Sequence, residues 1–474
     1  MNLLAIFITL SVLPAVYAEE VRIGNSLCAD EETFVNARLQ HVNKALCTLL
    51  DKEIPLAQTP RIAFCGSGGG FRSMIASLGA LAACDTLGIT DTFLYSAGVS
   101  GSTWTLGCWY MYGKKPSDAV AHLREQVSHE FFEGFNPAPT ILRWLEDFYY
   151  HQSVGVVAVY GALLANRFLH ELPHKYSAVL SEFASKINDA SMPMPIFPAI
   201  IPVESAPGTY EWCEMTPYEV GILKDSAFIS TKAFGREFEK GLSINEAPEY
   251  PFDFCLGICS SSFSVPINEA LSFLNTIIPQ AFYQYLVDIV TLTKSGNEVL
   301  VAAEINNFTY QLNNATFANQ KTLKWIDAGQ DIDLPIPAVL RPGRSVDLLI
   351  IIDASGDMLY SPELRKAMEY ANEHGIKFPV IQDWENIPFK LVSVFEDPDD
   401  VTVPIVVYIP LTKNASYSNT FDPIIEALTG YCNSSNLQYS HAQFDELFGL
   451  TQFTVNQQAD VIIQALRDAV SRKE

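Results

Sequence analysis

Short apolar runs at Arg61 to Phe64, Ile196 to Ile201, Val346 to Ile352 and Val403 to Ile409 alternate along the chain with stretches in which apolar residues return every three or four positions. Met74 to Leu81, Ala119 to Phe132 and Pro362 to Glu373 are of the second kind. Runs of the first length suit buried strands, and the 3.6-residue return suits helices. The alternation predicts an α/β fold, a sheet flanked by helices. Pro198 interrupts the second run and makes it the weakest of the four strands. With 474 residues, 49% of them hydrophobic, the chain can bury a large core, and no Gly/Ser linker, repeat or low-complexity tract divides it. A single domain over 19–474 is expected. Pro207 to Gln320, rich in aromatics and turn residues, breaks the alternation.

The first eighteen residues read as a cleaved secretory signal: Leu3 to Leu13 is too short to span a bilayer, and Val16-Tyr17-Ala18 suits cleavage before Glu19. Four Asn-x-Ser/Thr sites, Asn307, Asn314, Asn414 and Asn433, agree with passage through the secretory pathway, so a secreted or lumenal glycoprotein is expected. Nine cysteines leave at least one unpaired, with Cys28–Cys47 and Cys255–Cys259 as candidate disulfides. The formal charge of −24 argues against nucleic acid and against attraction to anionic bilayers.

Candidate chemistry concentrates in two motifs. Cys65-Gly66-Ser67-Gly68-Gly69-Gly70-Phe71-Arg72 lies between a strand run and a helical pattern, where backbone N–H groups converge on an anion. It lacks the Lys-Ser/Thr ending of a P-loop, and Phe71 stands where a dinucleotide fingerprint needs a glycine, so nucleotide binding is not expected. Gly98-Val99-Ser100-Gly101-Ser102-Thr103-Trp104 sets a serine between small residues, as a tight turn lifting a nucleophile out of a sheet requires. Each motif alone is compatible with an ordinary loop. Separated by one helical pattern, they fit a strand–turn–helix–strand–turn unit.

With Trp325-Ile326-Asp327-Ala328-Gly329, Leu334-Pro335-Ile336-Pro337, Leu340-Arg341-Pro342-Gly343-Arg344, Glu211 to Gly221, Leu256 to Phe263 and the tail from Phe444 to Ala469, these motifs form an ordered set. The chain resembles the catalytic domain of the cytosolic phospholipase A2 and phospholipase B (lysophospholipase) family. The resemblance implies a central mixed sheet flanked by helices, with a cap or lid within about 207–320. It implies Ser100 as nucleophile, Asp327 as general base in a Ser-Asp dyad, the amides of Gly69 and Gly70 as oxyanion hole, and Arg72 as the cation for the substrate phosphate. The implied substrate is a phospholipid or lysophospholipid at a membrane or micelle surface, with no metal, no cofactor and no obligatory protein partner. There is no room before Arg61 for the calcium-binding β-sandwich of the cytosolic members, which brings the chain closer to the secreted branch.

The residues alone leave other assignments open. Asp327 is also good turn chemistry, and Asp353, ending the run Leu348 to Ile352, suits an acid at a strand end. Arg72 fits a salt bridge as well as a phosphate, and Arg341 and Arg344 are second candidates for phosphate or for tying down the loop after Asp327. None of the eight histidines lies in the glycine, serine or aspartate motifs, and none forms a metal-ligand pattern. His441, after Ser100 and Asp353, keeps open a Ser-Asp-His lipase or esterase. A catalytically silent lipid-binding protein is the remaining alternative.

Overall fold

The computed structural model describes residues 18–136, 143, 146–147, 149–152, 155–262, 280, 283–284, 287, 302–356 and 358–474. The expected signal segment, Ala18 excepted, lies outside the described residues, as does most of 263–301 in the stretch where a cap is expected. In chain order the strands are β1 (Arg22–Ile23), β2 (Ile62–Gly66), β3 (Tyr95–Gly98), β4 (Met194–Pro202), β5 (Tyr210–Met215), β6 (Glu219–Ile222), β7 (Ala227–Ser230), β8 (Phe238–Glu239), β9 (Leu242–Ser243), β10 (Ala303–Asn306), β11 (Thr322–Asp327), β12 (Leu348–Asp353), β13 (Ser393–Phe395) and β14 (Ile405–Pro410). β8 and β9 pair apart, and the others form one mixed sheet in the order β1-β7-β6-β5-β4-β3-β2-β12-β14-β13, with β10 and β11 branching from β4.

The four apolar runs of the sequence become the parallel half, β4, β2, β12 and β14, with β3 between β4 and β2. β2, β12 and β14 are buried at every position, as strands covered on both faces must be. Tyr210 to Ser230, inside the stretch expected to hold a cap, instead extends the sheet as the antiparallel strands β5, β6 and β7. Pro198 lies within β4, between Ile196, the last residue paired with β3, and Ala199, the first paired with β11. A missing N–H costs little at such a break.

That junction brings distant sequence together. β5 takes one edge of β4, so β3 and β11 share the other: β3 runs parallel to β4 and β11 antiparallel. Their C-terminal ends therefore point at each other. β2, β3 and β12 also end in register, Gly66 opposite both Gly98 and Ile352. Parallel sheets gather their chemistry at this edge.

Helix α1 (Ala29–Leu50) precedes β2; α2 (Gly70–Thr86) follows it directly, and α3 (Gly101–Tyr112) follows β3. The helix expected over Ala119 to Phe132 covers only Val120–Gln126. Beyond it, the carbonyls of Glu130 and Glu133 accept from Arg167, and that of Glu133 also from Asn166, bonds that compete with a helical ladder.

The expected disulfides are absent. Cys28 caps the start of α1 and Cys47 lies near its end, about 28 Å away at a helical rise of about 1.5 Å per residue. Cys255 and Cys259 share one turn of the helix Phe252–Cys259, where Cβ atoms stand about 5–6 Å apart, too far for a bridge. Two expected glycan sites are also corrected. Asn307 is buried and its side-chain amide donates to the carbonyls of Phe317 and Gln320, while buried Asn414 donates to Thr454 and Gln457. Neither nitrogen is open to a sugar. Asn314 is exposed and Asn433 is half-buried.

Candidate active site

Ser100 sits in the turn from β3 into α3 with φ 49° and ψ −118°, a conformation that L-residues avoid. The surrounding structure holds it there. A Cβ on Gly101 would overlap the carbonyl oxygen of Gly70, so the Ser100 turn rests directly on the glycine turn. Ser102 completes the clamp: its hydroxyl donates to the Ser67 carbonyl at 2.6 Å and meets Ser77 Oγ at 2.8 Å. Where the sequence has Ser102 in place of the last glycine of Gly-x-Ser-x-Gly, the structure uses its hydroxyl as a tie between the two turns.

The glycine turn runs from β2 into α2. Gly69 is the N-cap of α2 with φ 130°, and Gly70 is its first residue with φ 62°. Both backbones are open to glycine and strained for other residues. As cap and first residue, their N–H groups stand outside the intrahelical ladder, at the positive end of a 17-residue helix. Both glycines are half-buried, so the amides lie near the surface of the site. The Ser67 hydroxyl donates to the Gly68 carbonyl and accepts from the Ala354 N–H at 2.7 Å, fastening the turn to the end of β12.

Asp327 ends β11 and is 1% exposed. Its carboxylate accepts from the Gly329 N–H at 2.9 Å, and the Ser100 hydroxyl favours its charged form. Burial raises its pKa to about 7, and the Gly329 N–H and the Ser100 hydroxyl oppose the rise. Ser100 and Asp327 thus stand at the facing ends of β3 and β11. Asp353 is occupied differently: Tyr408 donates to one oxygen at 2.7 Å and the Ser355 N–H to the other at 2.9 Å. His441 lies at the exposed start of the helix His441–Gln457 and pairs with Glu125 at 3.2 Å. A triad of Ser100, Asp353 and His441 is not assembled.

Arg72 lies in the first turn of α2, 1% exposed. Its Nε donates to the Ala354 carbonyl at 2.9 Å and Nη1 to that of Cys432 at 2.6 Å. Nη2 is buried without a hydrogen-bond partner, and a Cβ on Gly69 would stand 2.8 Å from it. Such an unmet donor is costly unless something accepts from it. Arg341 and Arg344 are engaged by carboxylates instead. Arg344, fully buried, donates to Glu214 at 2.5 and 3.0 Å and to Glu31 at 3.1 Å, and Arg341 pairs with the same two carboxylates at 3.3 Å. They tie down the loop that follows Asp327.

The sequence does not signal the parts played by Ser67, Ser77 and Asp333. Asp333 accepts the Gly68 N–H on its backbone carbonyl at 2.9 Å and turns its carboxyl between Gly68 and Gly329. The spacing of Asp331 and Asp333 offers no hint, since these contacts cross from one end of the chain's catalytic core to the other.

Comparison with known proteins gives the family. A family model described as "Lysophospholipase catalytic domain" matches residues 62–385. The chain is 27% identical to cytosolic phospholipase A2 epsilon of Mus musculus, over 96% of this chain and 61% of that protein. It is 26% identical to cytosolic phospholipase A2 beta of Homo sapiens, over 96% and 67%. The chain thus spans about two thirds or less of these relatives' length. A solved structure of human GIVD cytosolic phospholipase A2 matches with a TM-score of 0.82 at 23% identity, covering 95% of this chain and 68% of that one. The same human protein in complex with methyl gamma-linolenyl fluorophosphonate matches with a TM-score of 0.77. These relatives carry the name cytosolic, which overturns the expectation of a secreted or lumenal protein.

Proposed function

This chain belongs to the lysophospholipase catalytic-domain family, and from that premise we propose that it hydrolyses fatty-acyl esters of glycerophospholipids or lysophospholipids through Ser100 and Asp327. The observation that carries the reading is the placement of Ser100, on its strained turn at the end of β3, at the facing end of β11 where Asp327 is a buried carboxylate with a pKa of about 7. A general base works best when its pKa lies near the working pH.

The cycle follows from the positions. Ser100 Oγ attacks the ester carbonyl as Asp327 takes its proton. The carbonyl oxygen becomes an oxyanion, which the N–H groups of Gly69 and Gly70 and the positive end of α2 stabilise. As the carbon–oxygen bond to the glycerol side breaks, Asp327 returns the proton to the departing alcohol. Water, deprotonated by Asp327, then attacks the acyl-serine, and the fatty acid leaves as the serine recovers its proton.

Arg72 Nη2, buried and unpartnered beside Gly69, supports a contact to the substrate phosphate. The test is mass spectrometry of products from phosphatidylcholine carrying different acyl chains at sn-1 and sn-2. Fatty acid released by wild type and reduced on the order of 10⁴-fold by both Ser100→Ala and Asp327→Ala supports the dyad. Full activity in Asp327→Ala, or none in wild type, refutes it.

A further inference from the structure

Asp333 follows Asp327 by six residues, and the hydrolytic cycle gives its side chain no task. Its backbone is held from both sides, the N–H donating to Glu363 at 2.6 Å and the carbonyl accepting from Gly68 at 2.9 Å. Its Oδ1 fills the space that side chains on Gly68 and Gly329 would need; a Cβ on either would overlap it. The same notional Cβ on Gly68 lies 3.4 Å from Ser100 Cβ, and that on Gly329 lies 3.3 Å from Asp327 Oδ1. The carboxyl of Asp333 is thus wedged between the turn that carries the oxyanion donors and the loop that carries the base.

The charges around this wedge are mostly of one sign. Asp327 faces it from the end of β11, Asp353 from the end of β12 and Glu363 from the helix Pro362–Glu373. Arg72, from α2, is the opposing cation, with two of its nitrogens engaged by carbonyls, while Lys366 pairs with Glu363 at 3.0 Å. Burial, then Glu363, Asp327 and Asp353, push the Asp333 carboxyl well above the usual carboxylate range, against the pull of Arg72. Its charged form is disfavoured there.

We propose that Asp333 is a positioning residue that serves as a neutral acid, bridging the Gly68 turn and the Gly329 loop so that Ser100 and Asp327 stay in register. Its ionisation sets a second negative charge beside Asp327 and against the forming oxyanion, and the site loses activity. This rests on the hydrolase reading above. It gives the enzyme two limbs: a rise as Asp327 ionises and a fall as Asp333 ionises.

The experiment measures, across alkaline pH, kcat/KM on phosphatidylcholine in neutral mixed micelles and the rate of Ser100 labelling by a fluorophosphonate, with circular dichroism confirming the fold at each pH. Wild type is expected to fall about tenfold per pH unit past the Asp333 limb. Asp333→Asn, of the same shape and permanently neutral, and Asp333→Ser, smaller and neutral, should lose that fall in both readouts. The inference is overturned by a wild type without the fall, by variants that fall like wild type, or by folded variants that the probe does not label at any pH. If Asp333→Asn does not fold, Asp333→Ser and the wild-type profile decide. A wild type that neither hydrolyses lipid nor labels sinks the hydrolase reading itself, a result distinct from an active enzyme with no alkaline limb.

Discussion

Under the proposed mechanism, burial of Asp327 is useful to catalysis and costly to stability through one carboxyl. Its folded-state pKa of about 7 lies above the ordinary value of about 3.9, so between those limits the native state holds a proton that the unfolded chain has released. Stability from this group is present at low pH and declines as pH rises toward 7. Activity runs the other way, because the base works ionised. The expected kcat/KM falls about tenfold per pH unit below 7. Asp327→Asn, inactive but uncharged, should melt above wild type at pH 8, with the gap closing near pH 4; equal melting temperatures at pH 8 would contradict the buried charge. At Arg72, Lys cannot reproduce both guanidinium contacts, and some loss of activity from the loosened Ala354 and Cys432 carbonyls is expected for any ester. If Nη2 meets the phosphate, Arg72→Lys reduces kcat/KM on lysophosphatidylcholine more than on a monoacylglycerol, by about tenfold or more for one charge-assisted bond. An equal loss on both would leave Arg72 a purely structural tie.

The element that organises the site is the pair of strand–turn–helix units β2–α2 and β3–α3, and it was readable from sequence because glycines and small residues mark the turns locally. What the chain order conceals is contact across the turns. Gly101 demonstrates the point: its need for a hydrogen in place of a side chain comes from the Gly70 carbonyl, thirty-one residues earlier. Gly101→Ala should push α3 off the oxyanion turn and lower kcat about 10²–10³-fold, the range seen when an oxyanion donor is lost. Gly155→Ala, where a Cβ meets open space, is the control, assayed for kcat and by circular dichroism side by side. Strands β5 to β7 escaped the apolar-run reading for a related reason. Glu211, Glu214 and Glu219 are buried within them, paired with Lys224, with Arg341 and Arg344, and with Arg22, so polar letters occupy core positions. Their partners are up to 197 residues away, and no local pattern announces them.

Across the whole molecule, the loop after Asp327 is anchored by a buried cluster drawn from three distant segments. Glu31 comes from α1, Glu214 from β5, and Arg341 and Arg344 from the loop itself. Arg341 also stacks over Phe228 in β7, 4.3 Å from the ring centre. The resemblance identified these arginines as part of a motif, yet their chemistry is structural, since two guanidinium groups neutralise two carboxylates away from water. Burying such a set gains little over an apolar core, but breaking it leaves charges without partners. Arg344→Met should therefore cost about 3–5 kcal/mol, measured by urea unfolding, because Glu31 and Glu214 stay buried with Arg341 alone. The double change Arg344→Met, Glu214→Gln leaves one cation, Arg341, paired with one carboxylate, Glu31, and should recover part of that loss. Hydrolysis reports the same coupling at a distance: if the cluster positions the Asp327 loop, Arg344→Met lowers kcat under conditions where the protein remains folded, and the double variant restores it in step with stability. Recovery of stability without recovery of kcat would show that the arginine acts on the site by another route than anchoring its loop.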